Sequence, residues 1–169
     1  MRDEGIELAR VFIGLGSNIE PRSEHIESAV ALLRSAGEVA KISPVYETEP
    51  IGEHLQPMYL NAVVELLTQE GPLELLAKLK SFEHKIGRKD RPRWHEREID
   101  FDILFYEDLI LNSADLMIPH PEISHRAFVL APLADLDVNF VHPVLHRTIW
   151  ELLKDVDCSG IHKTDIALA

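Results

Sequence analysis

Apolar and polar positions follow the alternation of a β-strand, or run together as in a buried strand, in four stretches of the chain. Pro44 interrupts one of them, because proline lacks the backbone N–H that a strand ladder uses. The predicted strands are residues 8–15, residues 39–48 with the break at Pro44, residues 59–67, and the stretch that carries Asp100 and Asp102 and continues to Tyr106.

Two stretches between these strands have the spacing of amphipathic helices. The first is predicted to begin at Ser23 as N-cap and to end at Gly37, and the second to begin at Gly71-Pro72 and end at Gly87. The order strand, helix, strand, strand, helix, strand is that of a ferredoxin-like split βαβ sandwich. The sequence therefore predicts an α+β fold with helices packed on one face of an antiparallel sheet.

The remaining patterns are shorter. A strand is predicted at residues 109–111, a helix at 126–136 with a kink near Pro132, and another helix at 148–154, in which Trp150 is expected to be core. Residues 159–169 are expected to form a loosely held tail. Residues 14–18 match the start of a dinucleotide-binding fingerprint, but Ile19 replaces its third glycine, so a tight strand-to-helix turn is expected there.

Composition narrows the class of protein. The 169 residues, 46% hydrophobic and 27% charged, predict one domain over residues 1–169, with no membrane segment and no secretory signal. Cys158 is the single cysteine, so no internal disulfide forms, and we expect a cytoplasmic protein and a monomer. The net charge of -12 argues against a nucleic-acid partner.

A basic segment on this acidic chain indicates a site for a phosphate group and a divalent cation. Residues 88–97 contain four arginines and Trp94, and they lead directly into Asp100 and Asp102. Residues two apart on a strand share a face, with Cα atoms roughly 7 Å apart, so the carboxylates favour a divalent cation between them. Such pairs also occur at solvent-facing strand edges. Mg²⁺ uses one or two carboxylates plus phosphate oxygens, and arginine fits phosphate bidentately.

Aromatic and polar residues elsewhere suggest a second, flat ligand. Tyr59 and Asn61 share one face of a strand, which is either a polar edge or the floor for a planar polar ligand, and Phe128 is a candidate for the opposing ring. His120 lies between two prolines and is a candidate phosphate contact. The spacing of His142 and His146, with Pro143 directly after the first, does not match a helical zinc motif, so zinc is not expected.

Together these segments resemble the 6-hydroxymethyl-7,8-dihydropterin pyrophosphokinase family of folate biosynthesis, in family order over residues 8–136. The segments that carry the resemblance are Gly16-Ser17-Asn18, residues 43–52, residues 56–62, Gly87-Arg88, Arg93-Trp94, residues 97–104, Ile118-Pro119-His120 and Arg126-Ala127-Phe128.

The resemblance implies transfer of pyrophosphate from ATP to the pterin hydroxymethyl group, with release of AMP. It implies that Asp100 and Asp102 hold two Mg²⁺ ions and that these carboxylates act in catalysis with Arg88 and Arg97. The implied ATP-binding residues are Glu83, Arg88, Trp94, Arg97, Ile103, His120 and Arg126. The implied pterin-binding residues are Thr48, Glu49, Pro50, Ile51, Tyr59, Asn61, Trp94, Asp100 and Phe128. Three loops, at residues 18–23, 49–59 and 88–97, would close over the substrates.

One departure from the family pattern is visible, since His95-Glu96 stands where Gly-Pro is common. Two other functions use similar residues. A nucleotidyltransferase also combines Gly-Ser with Asp-x-Asp, although Ser17 and Asp100 are far apart along this chain. A module that binds single-stranded RNA through its basic and aromatic loop is the third possibility, and the acidic net charge opposes it.

Overall fold

The computed structural model describes residues 5, 7–49, 57–92 and 95–168. The strands are β1 (Ala9–Ser17), β2 (Glu38–Ile42), β3 (Tyr46–Thr48), β4 (Tyr59–Thr68), β5 (Asp100–Tyr106), β6 (Leu111–Asn112), β7 (Met117–Ile118) and β8 (Ile161–Lys163). The helices are α1 (Arg22–Leu33), α2 (Pro72–Ile86), α3 (Ala127–Asp137) and α4 (Ile149–Lys154). Within these described ranges, no helix has the length and apolarity that a membrane crossing requires.

The main sheet is antiparallel and has β1 and β4 at its centre. Its order is β5-β1-β4-β3-β8, and β2 pairs with the same edge of β4 as β3 does. The connections β1-α1-β2 and β4-α2-β5 each skip one strand, which is the split βαβ arrangement. The predicted fold is therefore confirmed, and the break between β2 and β3 falls at Pro44 as expected.

Helices cover both faces of this sheet, whereas the sequence predicted helices on one face only. Helices α1 and α2 pack on the face that contains Val11, Ile13 and Leu15 of β1. The opposite face, which contains Phe12 of β1, is covered by α3 and α4. Because β1 is apolar on both sides, a single helical layer would leave one of them in water.

The boundaries of α1 differ from the prediction, while those of α2 agree with it. Helix α1 starts at Arg22 and ends at Leu33, so Ser23 is not its N-cap and Gly37 does not end it. Gly37 instead lies where a Cβ would collide with the carbonyl oxygen of Leu67. Helix α2 begins at Pro72 and ends at Gly87, whose φ of 108° is the left-handed conformation that glycine favours.

The prediction that Trp150 belongs to the core is wrong. Helix α4 has only six residues and buries Ile149 and Leu152, so the side chain between them faces solvent and Trp150 is 53% exposed. The helix start itself agrees with the sequence, because Thr148 and Glu151 form a reciprocal capping box.

The expected loose tail is also wrong, because residues 161–163 form β8. This strand pairs with β3, and the N–H of Thr164 donates to the carbonyl of Val45 at 2.9 Å. Beyond it, Ile166 and Leu168 pack against the hydrophobic cluster below α1 and α2. A strand of three residues is too short for its alternation to be distinguished in the sequence.

Deleting residues 160–169 should lower the free energy of unfolding by about 2–3 kcal/mol, because two half-buried apolar side chains and the β3–β8 ladder are lost. Urea unfolding followed by circular dichroism measures this change. The substitution His162→Ala, at an exposed position of the same strand, is the control and should have little effect. An unchanged unfolding midpoint in the deletion variant would show that the segment is not held.

Candidate active site

A cleft of about 190 Å³ opens on the α3 face of the sheet, where β1, β4 and β5 lie side by side. Strand β5 contributes the two aspartates, β4 contributes Tyr59 and Asn61, and the start of α3 contributes Phe128. The fold thus brings together residues that are separated by up to about two thirds of the chain, from Gly14 to Val129. The two aspartates line the β5 side of the cleft, and the aromatic and amide side chains line the side formed by β4 and α3.

Two glycines of the central strand form the floor between these sides. Gly16 pairs with Asn61 of β4 and with Asp100 of β5, and Gly14 pairs with Asp102. A Cβ on Gly16 would lie 2.9 Å from Oδ1 of Asn61. The glycines therefore lie within β1, and the strand-to-helix turn expected there is wrong. Their lack of side chains keeps the floor open between β4 and β5.

Asp100 and Asp102 both point into this cleft. Oδ1 of Asp100 lies 3.1 Å from Nη1 of Arg88 and 3.6 Å from Nε of Arg97. Oδ1 of Asp102 lies 4.0 Å from Nε2 of His120. The side chain of Asp100 is 32% exposed and that of Asp102 48% exposed, so both remain accessible to a ligand.

The surroundings of Asp100 disfavour its charged form. Burial, together with the charge of Asp102, raises the pKa of Asp100 to about 6 even though Arg88 opposes this. Burial also raises the pKa of Glu83, the third carboxyl of this patch. A divalent cation would relieve this repulsion.

The donor set fits a hard cation that is shared with a substrate. Among the residues that the structure describes, no group of three or more His, Cys, Asp or Glu is placed to hold a metal ion. A cation at Asp100 and Asp102 would therefore take its other ligands from substrate or water oxygens. This is how Mg²⁺ binds with phosphates, so the residues present fit the ion.

The arginines of the basic segment have different partners. Nη1 of Arg88 lies 2.6 Å from Oε2 of Glu83, which also accepts a hydrogen bond from the N–H of Phe101. Arg91 binds Glu98 through Nη1 and Nη2 at 2.7 and 2.8 Å, and this contact lowers the pKa of Glu98 to about 2. Arg91 thus fixes the backbone of the segment, while Arg88 and Arg97 face the cleft.

His120 is oriented by two hydrogen bonds. Its backbone N–H donates to the carbonyl of Leu104 at 3.0 Å, and its ring Nδ1 accepts from the backbone N–H of Glu122 at 3.1 Å. Burial lowers its pKa, so the neutral ring is favoured. With Nδ1 accepting, the proton of the neutral ring lies on Nε2, which faces Asp102 and the cleft.

The opposite side of the cleft suits a planar polar ligand. Nδ2 of the buried Asn61 donates to Oγ1 of Thr48 at 2.6 Å, which fixes the orientation of the amide. Burial and the charge of Asp100 raise the pKa of Tyr59 to about 12, so its hydroxyl stays protonated. Arg126 lies 5.5 Å from the ring centre of Phe128, and Glu49 also lines the cleft.

Some predicted site residues lie elsewhere or cannot be placed. Pro50, Ile51 and Trp94 fall outside the described residues. The side chain of Ile103 is buried on the other face of the sheet, among the residues below α1 and α2, so it does not line the cleft. Successive β5 side chains alternate between the two faces of the sheet, so only the backbone of Ile103 is available to the cleft, and its contact with ATP stays a prediction.

Two residues of the site were missed by the sequence reasoning. His95 lines the cleft beside Arg97, although it was noted only as a departure from the family pattern. Asn18 is 1% exposed and binds the backbone of both Arg97 and Pro57. Its place directly after the Gly16-Ser17 motif was the available signal, but the partners of a polar side chain cannot be read from spacing.

Comparison with known proteins gives one consistent match. The model of the 7,8-dihydro-6-hydroxymethylpterin-pyrophosphokinase family matches residues 12–138. The 2-amino-4-hydroxy-6-hydroxymethyldihydropteridine pyrophosphokinase of Aquifex aeolicus is 40% identical over 144 residues, covering 85% of this chain and 90% of that protein. The enzyme of the same name from Bacillus subtilis is 42% identical over 127 residues, covering 74% and 76%.

Solved structures share the fold. The Plasmodium falciparum HPPK-DHPS structure determined with pterin and p-hydroxybenzoate superposes with a TM-score of 0.73 at 18% identity. The match covers 90% of this chain but only 42% of the Plasmodium chain. At that identity the likeness establishes the architecture alone.

The substitution Asp100→Asn should stabilise the ion-free protein near pH 7.5. Because the pKa of Asp100 is raised to about 6 in the folded state, the folded protein binds more protons than the unfolded chain between roughly pH 4 and 6, and stability falls as pH rises through that window. An asparagine does not ionise, so the variant does not lose stability as the pH rises. Solvent screening reduces the expected gain in the free energy of unfolding to about 1 kcal/mol.

Urea unfolding in chelator at several pH values measures the effect. The gain of Asp100→Asn over the wild type should appear between pH 4 and 6 and then stay constant. The matched control is Asp108→Asn, which removes an exposed carboxyl in the turn that follows β5. A gain that is independent of pH would contradict the raised pKa.

Proposed function

The chain belongs to the 7,8-dihydro-6-hydroxymethylpterin-pyrophosphokinase family, and from this membership we propose that its cleft transfers pyrophosphate from ATP to the hydroxymethyl group of 6-hydroxymethyl-7,8-dihydropterin. The step belongs to folate biosynthesis. The observation that carries the assignment of the site is that Asp100 and Asp102 line the same cleft as Tyr59 and Asn61, with Arg97 beside Asp100.

The product defines which bond breaks. Because AMP retains the α-phosphate, the pterin hydroxymethyl oxygen must form a bond to the β-phosphorus while the bond from that phosphorus to the bridging oxygen of the α-phosphate breaks. The hydroxyl proton leaves with this step. Transfer of this kind depends on positioning and charge neutralisation and needs no covalent nucleophile, and the residues of the cleft supply both.

Asp100 and Asp102 are proposed to hold Mg²⁺, with two ions as the resemblance predicts. When bound, Mg²⁺ neutralises charge on the triphosphate and on the oxygens of the group in transfer. The shared face of the two carboxylates, and the pKa of Asp100 raised to about 6 by burial and by Asp102, support this assignment.

The chain's own cations are proposed to act on the transferred group. Arg88 and Arg97 reach the cleft from the basic segment and would neutralise charge on the phosphate oxygens. Nε2–H of His120 would donate to a phosphate oxygen, which fits the tautomer that the N–H of Glu122 selects. The position of Arg126 at the start of α3 fits the ATP contact that the resemblance predicts.

The pterin is proposed to lie between the rings of Tyr59 and Phe128, with Asn61 and Thr48 on its polar edge. The fixed amide of Asn61 supports this, because an oriented donor and acceptor distinguish one heterocycle edge from another. Glu49 lines the same side of the cleft. Closure of the three loops, a monomeric state and a cytoplasmic location remain predictions from the sequence.

Asp100→Ala and Asp102→Ala should each lower the rate of AMP formation from ATP and the pterin by at least about 10³-fold, because each removes an oxygen ligand beside the transferred group. Chromatographic identification of AMP measures this rate, and release of pyrophosphate instead would indicate a nucleotidyltransferase. Asp108→Ala, a matched change at an exposed site, should leave the rate unchanged. Near-normal turnover in both site variants would contradict the proposal.

Tyr59→Ala should raise the KM for the pterin about tenfold while the KM for ATP changes little, because stacking on an aromatic ring contributes about 1–3 kcal/mol. Tyr59→Phe keeps the ring and should stay close to the wild type, since the hydroxyl remains protonated. Steady-state kinetics with each substrate varied in turn measures both constants. Equal increases for Phe and Ala would show that the hydroxyl, rather than the ring, binds the pterin.

A further inference from the structure

The carboxamide of Asn18 joins three segments that surround the cleft. The backbone N–H of Asn18 donates to the carbonyl of Arg97 at 3.1 Å, and its Oδ1 accepts from the N–H of Arg97 at 2.7 Å. Its Nδ2 donates to the carbonyl of Pro57 at 3.2 Å. The residue is 1% exposed, so these bonds are shielded from competing water.

Each segment that Asn18 contacts carries a different part of the site. Arg97 faces Asp100 on the phosphate side, and Pro57 lies two residues before Tyr59 on the pterin side. Asn18 itself follows β1, two residues after the floor glycine Gly16. The two sides of the cleft are therefore connected through one side chain as well as through the sheet.

A second residue fixes the same segment before β4. Nη1 of Arg22 donates to the carbonyl of Met58 at 2.9 Å and lies 2.9 Å from Oε2 of Glu47. The pterin-side segment is thus held at two successive carbonyls. Within the described part of the chain, the carboxamide of Asn18 links this segment to the one that carries Arg97.

We propose that Asn18 is a positioning residue for the transfer reaction. Its rigid amide holds the pterin side and the phosphate side at one separation, so that the hydroxymethyl oxygen lies in line with the β-phosphorus. An amide is suited to this role because it places an acceptor and a donor at opposite ends of one plane. The inference rests on the proposed function, since it names the reaction whose geometry Asn18 would set.

Loss of this bridge should affect turnover more than binding. The contacts of each substrate with its own side of the cleft remain, so each KM should change less than about threefold. Misalignment of reacting groups by about 1 Å can cost 10²-fold in rate, so kcat should fall about 10- to 100-fold in Asn18→Ala.

Asn18→Asp tests whether both ends of the amide are needed. The carboxylate retains an acceptor for the N–H of Arg97 but places no donor against the carbonyl of Pro57. Its kcat should therefore fall as it does in Asn18→Ala. Hydrogen exchange at the Arg97 amide should be faster in Asn18→Ala, by about tenfold or more, and stay near the wild-type rate in Asn18→Asp.

Thr68→Ala is the matched control. The buried Thr68 donates to the carbonyl of Ala36 at 2.6 Å, at the end of β4 remote from Tyr59, so its loss destabilises the protein without touching the bridge. Its kcat should stay within about twofold of the wild type, and urea unfolding of all three variants shows whether their stabilities are comparable.

Three results would overturn the inference: a kcat within about twofold of the wild type in Asn18→Ala, a wild-type kcat in Asn18→Asp, or an equal loss of kcat in Thr68→Ala. Failure of the proposed function is distinguishable from these results, because the wild-type protein would then form no AMP from ATP and the pterin.

Discussion

The repulsion between two carboxylates on one face of β5 is the constraint that organises the site. Asp100 and Asp102 lie on a sheet of a protein whose net charge is already -12, so their charge needs local compensation. Arg88 and Arg97 provide part of it, and Glu83, itself a carboxylate, holds Arg88 in place. Burial, together with the charge of Asp102, still raises the pKa of Asp100, and a bound cation would oppose both effects.

Two glycines of β1 leave open space beside the aspartates, because glycine has no side chain. Gly14 and Gly16 lie between the aspartates of β5 and the polar face of β4, so a ligand on one strand can contact residues on the other across the floor. The cost of glycine in a strand is loss of packing and of backbone order. The neighbours β4 and β5, which pair with β1 along both of its edges, offset this cost together with the buried side chains of Val11, Phe12, Ile13 and Leu15.

The arginines of the basic segment pair with acidic side chains of the same protein. Arg91 forms an ion pair with Glu98 and so stabilises the backbone of the segment. Arg97 instead faces Asp100. A segment with many arginines is therefore divided between structure and chemistry. Its composition predicts a phosphate site, but only the contacts distinguish arginines that face the aspartates from one that holds the loop.

Periodicity and local turn chemistry determined the order of helices and strands along the chain, the ends of α2, and the shared face of Asp100 and Asp102. Each of these features depends on neighbours a few residues away. The tertiary structure alone decided the second helical layer, the β3–β8 pairing and the exposure of Trp150. It also placed Gly16 beside Asp100, so separation along the chain was no argument against a nucleotidyltransferase, and the family match favours the pyrophosphokinase instead. The tertiary structure also decided the contacts of Asn18, since packing between distant segments selects the partners of a buried polar group.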